Sequence, residues 1–214
     1  MNNIKYIIWD FNGTILDDLD LCLNLLNGML TKQQKPMVTK KDYLEIFGFP
    51  IKDYYIKAGL SFESQSFDDM SIDFIKAYQP ESFKSKLHEG LVQTLDSLKL
   101  KGIRHIILSA SETNNLIEQV NYFGLTRYFD YIVGTDNVKG LGKIDAGLNL
   151  INELNEDKSR FIYIGDTIHD FEVAEALGVQ VVLYTKGHQS EARLKEKTTN
   201  IIHSISDIIN YIED

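Results

Sequence analysis

Asp10, Ser109, Lys143, Asp166 and Asp170 are the residues of this chain whose types and settings could do chemistry together. Asp10 closes an apolar run, Ile4 to Trp9, and is followed by Phe11-Asn12-Gly13. Such a run, without alternation, reads as a buried strand of a parallel sheet, and Asn-Gly as the turn that ends it. A carboxylate there sits where open α/β sheets place their working groups. Asp166 and Asp170 follow another apolar run, in Gly165-Asp166-Thr167-Ile168-His169-Asp170; Ser109 follows Ile106-Ile107-Leu108; Lys143 lies in the loop Gly140-Leu141-Gly142-Lys143. A carboxylate so placed can act as a nucleophile, and clustered acids call for the positive charge that Lys143 carries. Plainer readings stand beside these. Asp10 and Asn12 can bond turn amides, and Asp166 and Asp170 can cap a helix. Ser109 can be an ordinary loop serine and Lys143 a solvated one, with Lys139 competing for its place.

The pattern of elements is what brings these residues to one edge. From Leu87 the chain alternates helix and strand. Leu91, Leu95 and Leu98 mark a helix closed by Gly102, Ile103–Leu108 a strand, and Leu116, Ile117, Val120 and Phe123 a helix ending at Gly124. Tyr131–Val133 and Val179–Tyr184 read as further strands, with helices around Ile144–Ile151 and Phe171–Leu177, and Ile201-Ile202 as a last short strand before a closing helix. Alternation of this kind implies a parallel sheet covered on both faces. Between the first strand and this region the texture differs. Leu19, Leu23, Leu26 and Leu30 fall on one helix face, and ten of the chain's twenty-three aromatic residues lie between Asp17 and Lys84. They read as the core of a small helical bundle, which needs large side chains to bury enough area. The expected organisation is an α/β core, residues 1–16 and 85–214, with a Rossmann-like parallel sheet and an all-helical cap, residues 17–84, inserted after the first strand as a lid over Asp10. No internal repeat or low-complexity segment is present.

With Asp10-Phe11-Asn12-Gly13-Thr14, Ser109, Lys143 and Gly165-Asp166-Thr167-Ile168-His169-Asp170 in this order, the chain resembles the haloacid dehalogenase-like hydrolases, most closely the phosphoglycolate-phosphatase-like branch with a helical cap. The resemblance implies a phosphatase-type hydrolase acting on a small phosphorylated metabolite. Asp10 would attack phosphorus to form an aspartyl-phosphate. Mg²⁺ would be held by Asp10, Asp166, Asp170 and the Asn12 backbone carbonyl. Ser109, Lys143 and the amides near Asn12, Gly13 and Ala110 would bind phosphoryl oxygens.

One position departs from that family. Its phosphatases carry a second aspartate two residues after the nucleophile, which protonates the leaving group and then activates water. Asn12 stands here instead, and an amide cannot exchange a proton near neutral pH. Three readings follow: a slowed phosphohydrolase, or one whose substrate needs no leaving-group protonation; a phosphonate-cleaving hydrolase, for which Lys52 is the nearest imine-forming lysine; and a non-catalytic module that binds a phosphorylated metabolite. Substrate choice is expected from the cap and the Gly48-Phe49-Pro50 loop, with Ser111 and Glu112 facing the same cavity.

The composition narrows the setting. Among 214 residues, 22 are basic and 31 acidic, for a net charge of −9. That offers no basic stripe to grip nucleic acid or an anionic membrane surface. The lone cysteine, Cys22, cannot form an internal disulfide and reads as packing, and no apolar run approaches a bilayer's width. The expectation is a soluble cytoplasmic protein.

Overall fold

Four consecutive buried residues form β1 (Tyr6–Trp9) in the computed structural model, which describes residues 4–135 and 142–213. Its side chains alternate between two hydrophobic clusters, Ile7 and Trp9 entering one, Tyr6 and Ile8 the other. After Asp10 the chain turns at Gly13, whose φ of 75° is open to glycine, and enters a short strand, β2 (Leu16–Asp17). Four helices follow: α1 (Leu19–Lys32), α2 (Lys40–Ile46), α3 (Ile51–Ala58) and α4 (Phe67–Ser82). Thr39 and Ser66 cap α2 and α4 by accepting from the amides of Asp42 and Asp69. Leu26 and Leu30 of α1 meet Tyr43, Tyr54, Leu60 and Met70 in a third hydrophobic cluster.

The chain leaves these helices through β3 (Lys86–Leu87), which pairs antiparallel with β2, Leu16 opposite Leu87 and Asp17 opposite Lys86. Helices and strands then alternate: α5 (Leu91–Leu100), β4 (Arg104–Glu112), α6 (Thr113–Tyr122), β5 (Phe129–Thr135), α7 (Lys143–Leu154), β6 (Phe161–Gly165), α8 (Ile168–Leu177), β7 (Gln180–Tyr184), α9 (Glu191–Lys195), β8 (Ile201–Ile202) and α10 (Ile208–Glu213). Six strands form a parallel sheet in the order β5-β4-β1-β6-β7-β8. Residues of α5, α6 and α10 pack with Ile7 and Trp9 on one face; residues of α7 and α8 pack with Tyr6 and Ile8 on the other. The fold is thus α/β, a helix-covered parallel sheet.

Between β4 and β6, β1 occupies the point where strand order reverses, the place at which such sheets bind ligands beyond their carboxyl ends. Three local features differ from the sequence expectation. The polar stretch Ser109–Glu112 continues β4 rather than forming a loop, with its pairing to β5 irregular between Leu108 and Glu112. Lys143 opens α7 behind Gly142 instead of lying in the preceding loop. The β2–β3 ribbon has no counterpart in the apolar pattern, because two-residue strands carry no measurable period.

Candidate active site

Asp10 is positioned by the end of β1, its amide donating to Ile164 O of β6 at 2.8 Å. Lys143, from the first turn of α7, donates to Asp10 Oδ1 at 2.5 Å and to Asp170 Oδ1 at 2.8 Å. Asp170 is fixed from its other side. Its Oδ2 accepts from Thr167 Oγ1 at 2.6 Å and from the amides of Thr167 and Asp166, the reciprocal cap that starts α8. Asp166 accepts from Thr14 Oγ1 at 2.8 Å and from the His188 amide at 2.7 Å. A side chain at Gly13 or Gly187 would run into that carboxylate, so both loops close on it only as glycine. All four ionisable groups are buried.

Their electrostatics follow from that burial. Desolvation, reinforced by the Asp170 and Asp166 charges, pushes the Asp10 carboxyl well above the ordinary range, with the Lys143 ammonium pulling against it. Burial alone would discharge Lys143, but the charges of Asp10 and Asp170 outweigh it and hold the ammonium firmly protonated. Burial also opposes ionisation of Asp170, and the Lys143 charge and hydrogen bond overcome it, moving this carboxyl down. Asp166 is pushed up to about 6, by burial first and by Asp170, against the His188 charge. Carboxylate oxygens of Asp10, Asp166 and Asp170 lie within 4.8 Å of one another. With all three acids ionised, three carboxylates and one ammonium would leave two negative charges in excess, a repulsion that adds to burial in holding Asp10 and Asp166 up. A hard divalent cation such as Mg²⁺ matches both that charge and the all-oxygen donors, so these residues fit it.

A second buried network surrounds Asn12. Its Oδ1 accepts from Ser111 Oγ at 2.9 Å, while Nδ2 donates to Asp18 Oδ2 at 3.0 Å and to Tyr78 Oη at 2.6 Å. The Tyr78 hydroxyl in turn donates to Asp18 Oδ2, also at 2.6 Å. Asp18 Oδ1 accepts from the Gly13 amide at 2.9 Å and from His188 Nε2 at 3.1 Å, and His188 Nδ1 meets Tyr43 Oη at 2.9 Å. Burial disfavours both charges of the Asp18–His188 pair, yet each stabilises the other: the carboxyl is lowered and the imidazole raised to about 9. The pair is ionised at neutral pH. The amide at position 12 is the side chain that complements an ionised Asp18, because a carboxylate there could not donate.

These groups form the floor of a cavity of about 190 Å³ between the sheet edge and α2–α4. Asp10, Asn12, Ser109, Ala110, Ser111, Glu112, Lys143 and Asp170 line its sheet side, and Tyr54, Tyr55, Phe67, Phe74 and Tyr78 its helical side. Phe49, from the Gly48-Phe49-Pro50 loop, also reaches it and stacks on His169 with ring centroids 4.3 Å apart. Ser109 Oγ accepts from the Ser111 amide at 3.1 Å. The Gly13 amide, expected to face a phosphoryl group, is bonded to Leu16 O and Asp18 Oδ1. Lys52 is exposed, its Nζ 5.7 Å from the Phe62 ring centroid, and it does not line the cavity; the imine role considered for it has no geometric basis. Lys139 lies outside the described residues.

Sequence reading missed Asp18, Tyr78 and His188. The signal for His188 was available: Lys186-Gly187-His188 follows the end of β7 and so faces the same sheet edge as the other strand ends. Tyr78 had none, being one aromatic among ten in its segment.

Residues 7–184 match a family model described as haloacid dehalogenase-like hydrolase. The chain is 20% identical to a pyrophosphatase PpaX of Halalkalibacterium halodurans over 98% of its own length and 97% of that protein's. It is 25% identical to a phosphoglycolate phosphatase of Rhodobacter capsulatus, covering 86% and 85% of the two chains. A crystal structure described as a predicted phosphatase of Clostridium acetobutylicum superposes with a TM-score of 0.81 at 22% identity, covering 98% of both chains.

Proposed function

This chain belongs to the haloacid dehalogenase-like hydrolases, and from that membership we propose that it is a Mg²⁺-dependent phosphohydrolase of a small phosphorylated metabolite, working through an aspartyl-phosphate on Asp10. The observation that carries this reading is the buried Asp10 at the sheet's switch point, bonded to Lys143 and within one oxygen cluster with Asp166 and Asp170. Asp10, Asp166 and the Asn12 backbone carbonyl, with Asp170 behind them, would hold the metal, whose chemistry there is to neutralise charge on the transferring phosphoryl group. Residues 17–84 serve as the cap that closes over the substrate.

A carboxylate oxygen of Asp10 attacks phosphorus, the bond to the leaving oxygen breaks, and its electron pair departs on that oxygen. Lys143 stays charged throughout and stabilises the phosphoryl oxygens, while Asp170, itself bonded by the Tyr163 hydroxyl, fixes its direction. Ser109 and the Ala110 region complete the phosphoryl pocket. Water then attacks phosphorus, releasing phosphate and restoring Asp10. Asn12 orients groups in both steps but moves no proton, so each proceeds without side-chain acid–base help from that position, a deficit of roughly 10²- to 10⁴-fold.

The test is Mg²⁺-dependent phosphate release from a panel of phosphoesters and acyl phosphates, with Asp10→Asn alongside. Release by the wild type and its loss in the variant are expected. A folded wild type that releases nothing, yet is stabilised by phosphorylated ligands, overturns the catalytic reading in favour of a binding module.

A further inference from the structure

We propose that the substrate is an aryl phosphate, a phosphate monoester whose leaving group is an uncharged phenol seated among the cap aromatics; this rests on the phosphohydrolase reading above. Three observations converge on it. The helical side of the cavity presents the rings of Phe47, Tyr54, Tyr55, Phe67, Phe74 and Tyr78. The volume, about 190 Å³, compares with the roughly 150 Å³ that suffices for a benzene ring in an apolar protein cavity. The cavity, which includes the phosphoryl floor, is therefore too small for more than one ring, and ring-on-ring packing rewards an aromatic occupant over a shapeless one.

Charge removes the alternatives. Among the described residues lining the cavity, the cations are Lys143 and His188. Lys143 is closed on Asp10 and Asp170, and His188 on Asp18. Glu112 stands at the sheet side, its carboxyl held down by the backbone amides of Asn115 and Asn114 and therefore ionised. A leaving group bearing a carboxylate or a second phosphate would enter without a partner cation and face that charge. The neutral amides and hydroxyls of Ser71, Gln79, Asn115 and Gln119 admit an uncharged polar substituent.

The third observation is Asn12. Without a proton donor the leaving oxygen must depart as an anion. A phenol ionises near pH ~10, about six units below water, so a phenolate leaves where an aliphatic alkoxide does not. An amide at position 12 and an aromatic chamber thus select the same molecule.

Four esters and one control separate the possibilities. With Mg²⁺, kcat/KM is measured for phenyl phosphate, cyclohexyl phosphate, 4-carboxyphenyl phosphate and 2-phosphoglycolate, with acetyl phosphate as a ringless substrate whose leaving group needs no proton. Phenyl phosphate is expected to exceed each of the other three esters by about tenfold or more: cyclohexyl phosphate because its alkoxide is the poorer leaving group, 4-carboxyphenyl phosphate because its carboxylate enters without a partner cation, and 2-phosphoglycolate for both reasons. In Phe74→Ala the preference for phenyl over acetyl phosphate should shrink by about fivefold or more, the scale of burying one ring. Equal rates for cyclohexyl and phenyl phosphate overturn the phenolate argument. A rate for 2-phosphoglycolate or 4-carboxyphenyl phosphate matching phenyl phosphate overturns the charge argument. Turnover of acetyl phosphate with no preference among the esters defeats this inference alone; no turnover of any substrate defeats the phosphohydrolase reading beneath it.

Discussion

Replacing Asn12 with aspartate sets a second carboxylate against Asp18. In the native chain Asn12 Nδ2 sits 3.0 Å from Asp18 Oδ2, and Asp18 is almost wholly enclosed. After Asn12→Asp, that donor becomes an oxygen facing an oxygen. Two unit charges ~4 Å apart at an effective dielectric of ~20 repel by about 4 kcal/mol. His188 on the far oxygen of Asp18 offsets part of this, leaving an expected loss of about 2–4 kcal/mol in unfolding free energy. The swap Asn12→Asp with Asp18→Asn keeps the charge and the donor count. The amide, moved to position 18, would donate to the carboxylate at position 12 and still accept from the Gly13 amide and His188, but His188 loses its directly bonded anion, so stability should recover only in part relative to the single variant. The swap also places a carboxylate two residues beyond Asp10, the proposed nucleophile. Phosphate release from an alkyl phosphate should rise by about 10²-fold or more in it, the lower end of what general acid–base help supplies. Urea unfolding and steady-state phosphate release read the two effects separately. A single variant as stable as wild type would refute the claim that Asp18 dictates the amide at position 12. A stable swap with no gain in rate would refute the claim that the missing proton donor limits turnover.

Lys143→Met leaves Asp10 and Asp170 buried without their shared cation; a loss of about 3–5 kcal/mol in urea unfolding and near-complete loss of phosphate release are expected, and full retained activity would move the role to another lysine. Mg²⁺ should raise the melting temperature and a chelator lower it in wild type, and Asp166→Asn should lose most of that response; an unresponsive wild type would exclude the carboxylate cluster as a cation site. His105, on β4, is buried and accepts from Trp9 Nε1 at 3.1 Å, with burial lowering its pKa to about 4. The unfolded chain, with an ordinary imidazole near ~6.5, binds more protons in between, so stability from this group is full above pH ~6.5 and drains as pH falls toward 4, by about 3 kcal/mol in all. The difference in urea midpoint between pH 7.5 and 5 should therefore shrink in His105→Leu, and an unchanged difference would assign the acid sensitivity elsewhere.

What the sequence reveals and what it hides divide along the range of the interactions. The runs Tyr6–Trp9 and Phe161–Gly165 announce themselves because strands buried on both faces are continuously apolar, and both end in carboxylates that the parallel sheet must bring together. The Asp18 network is hidden for the opposite reason. Its partners Tyr78 and His188 are 60 and 170 residues away along the chain, and no local period records such a meeting. Asn12 shows the difference best. Read along the chain it is a missing acid, whereas in space it is the donor that an ionised Asp18 requires. The ten aromatics between Asp17 and Lys84 read as bundle core, and Tyr43, Tyr54 and Tyr55 do enter that cluster. Composition could not show that Tyr54 and Tyr55, with Phe74 and Tyr78, would also wall a chamber.

The β2–β3 ribbon is the covalent gateway to the cap proposed above. Both passages of the chain between sheet and cap helices run through one ladder of two residue pairs. That ladder is supplemented by contacts of the helices with the sheet domain, Gln189 and Arg193 donating to Phe47 O, Arg193 also to Leu44 O, and Gln119 to Ser82 Oγ, so a swing about the ribbon must first break them. His88, the next residue after β3, is tied through Nε2 to Gly13 O at 3.0 Å and through Nδ1 to Tyr184 Oη at 3.2 Å. A movement of the proposed cap about the ribbon would therefore be felt at a point three residues from Asp10. On the phosphohydrolase reading proposed above, opening the chamber and displacing the Asp10 loop would then be coupled, so that a chamber standing open would also be a loop out of true.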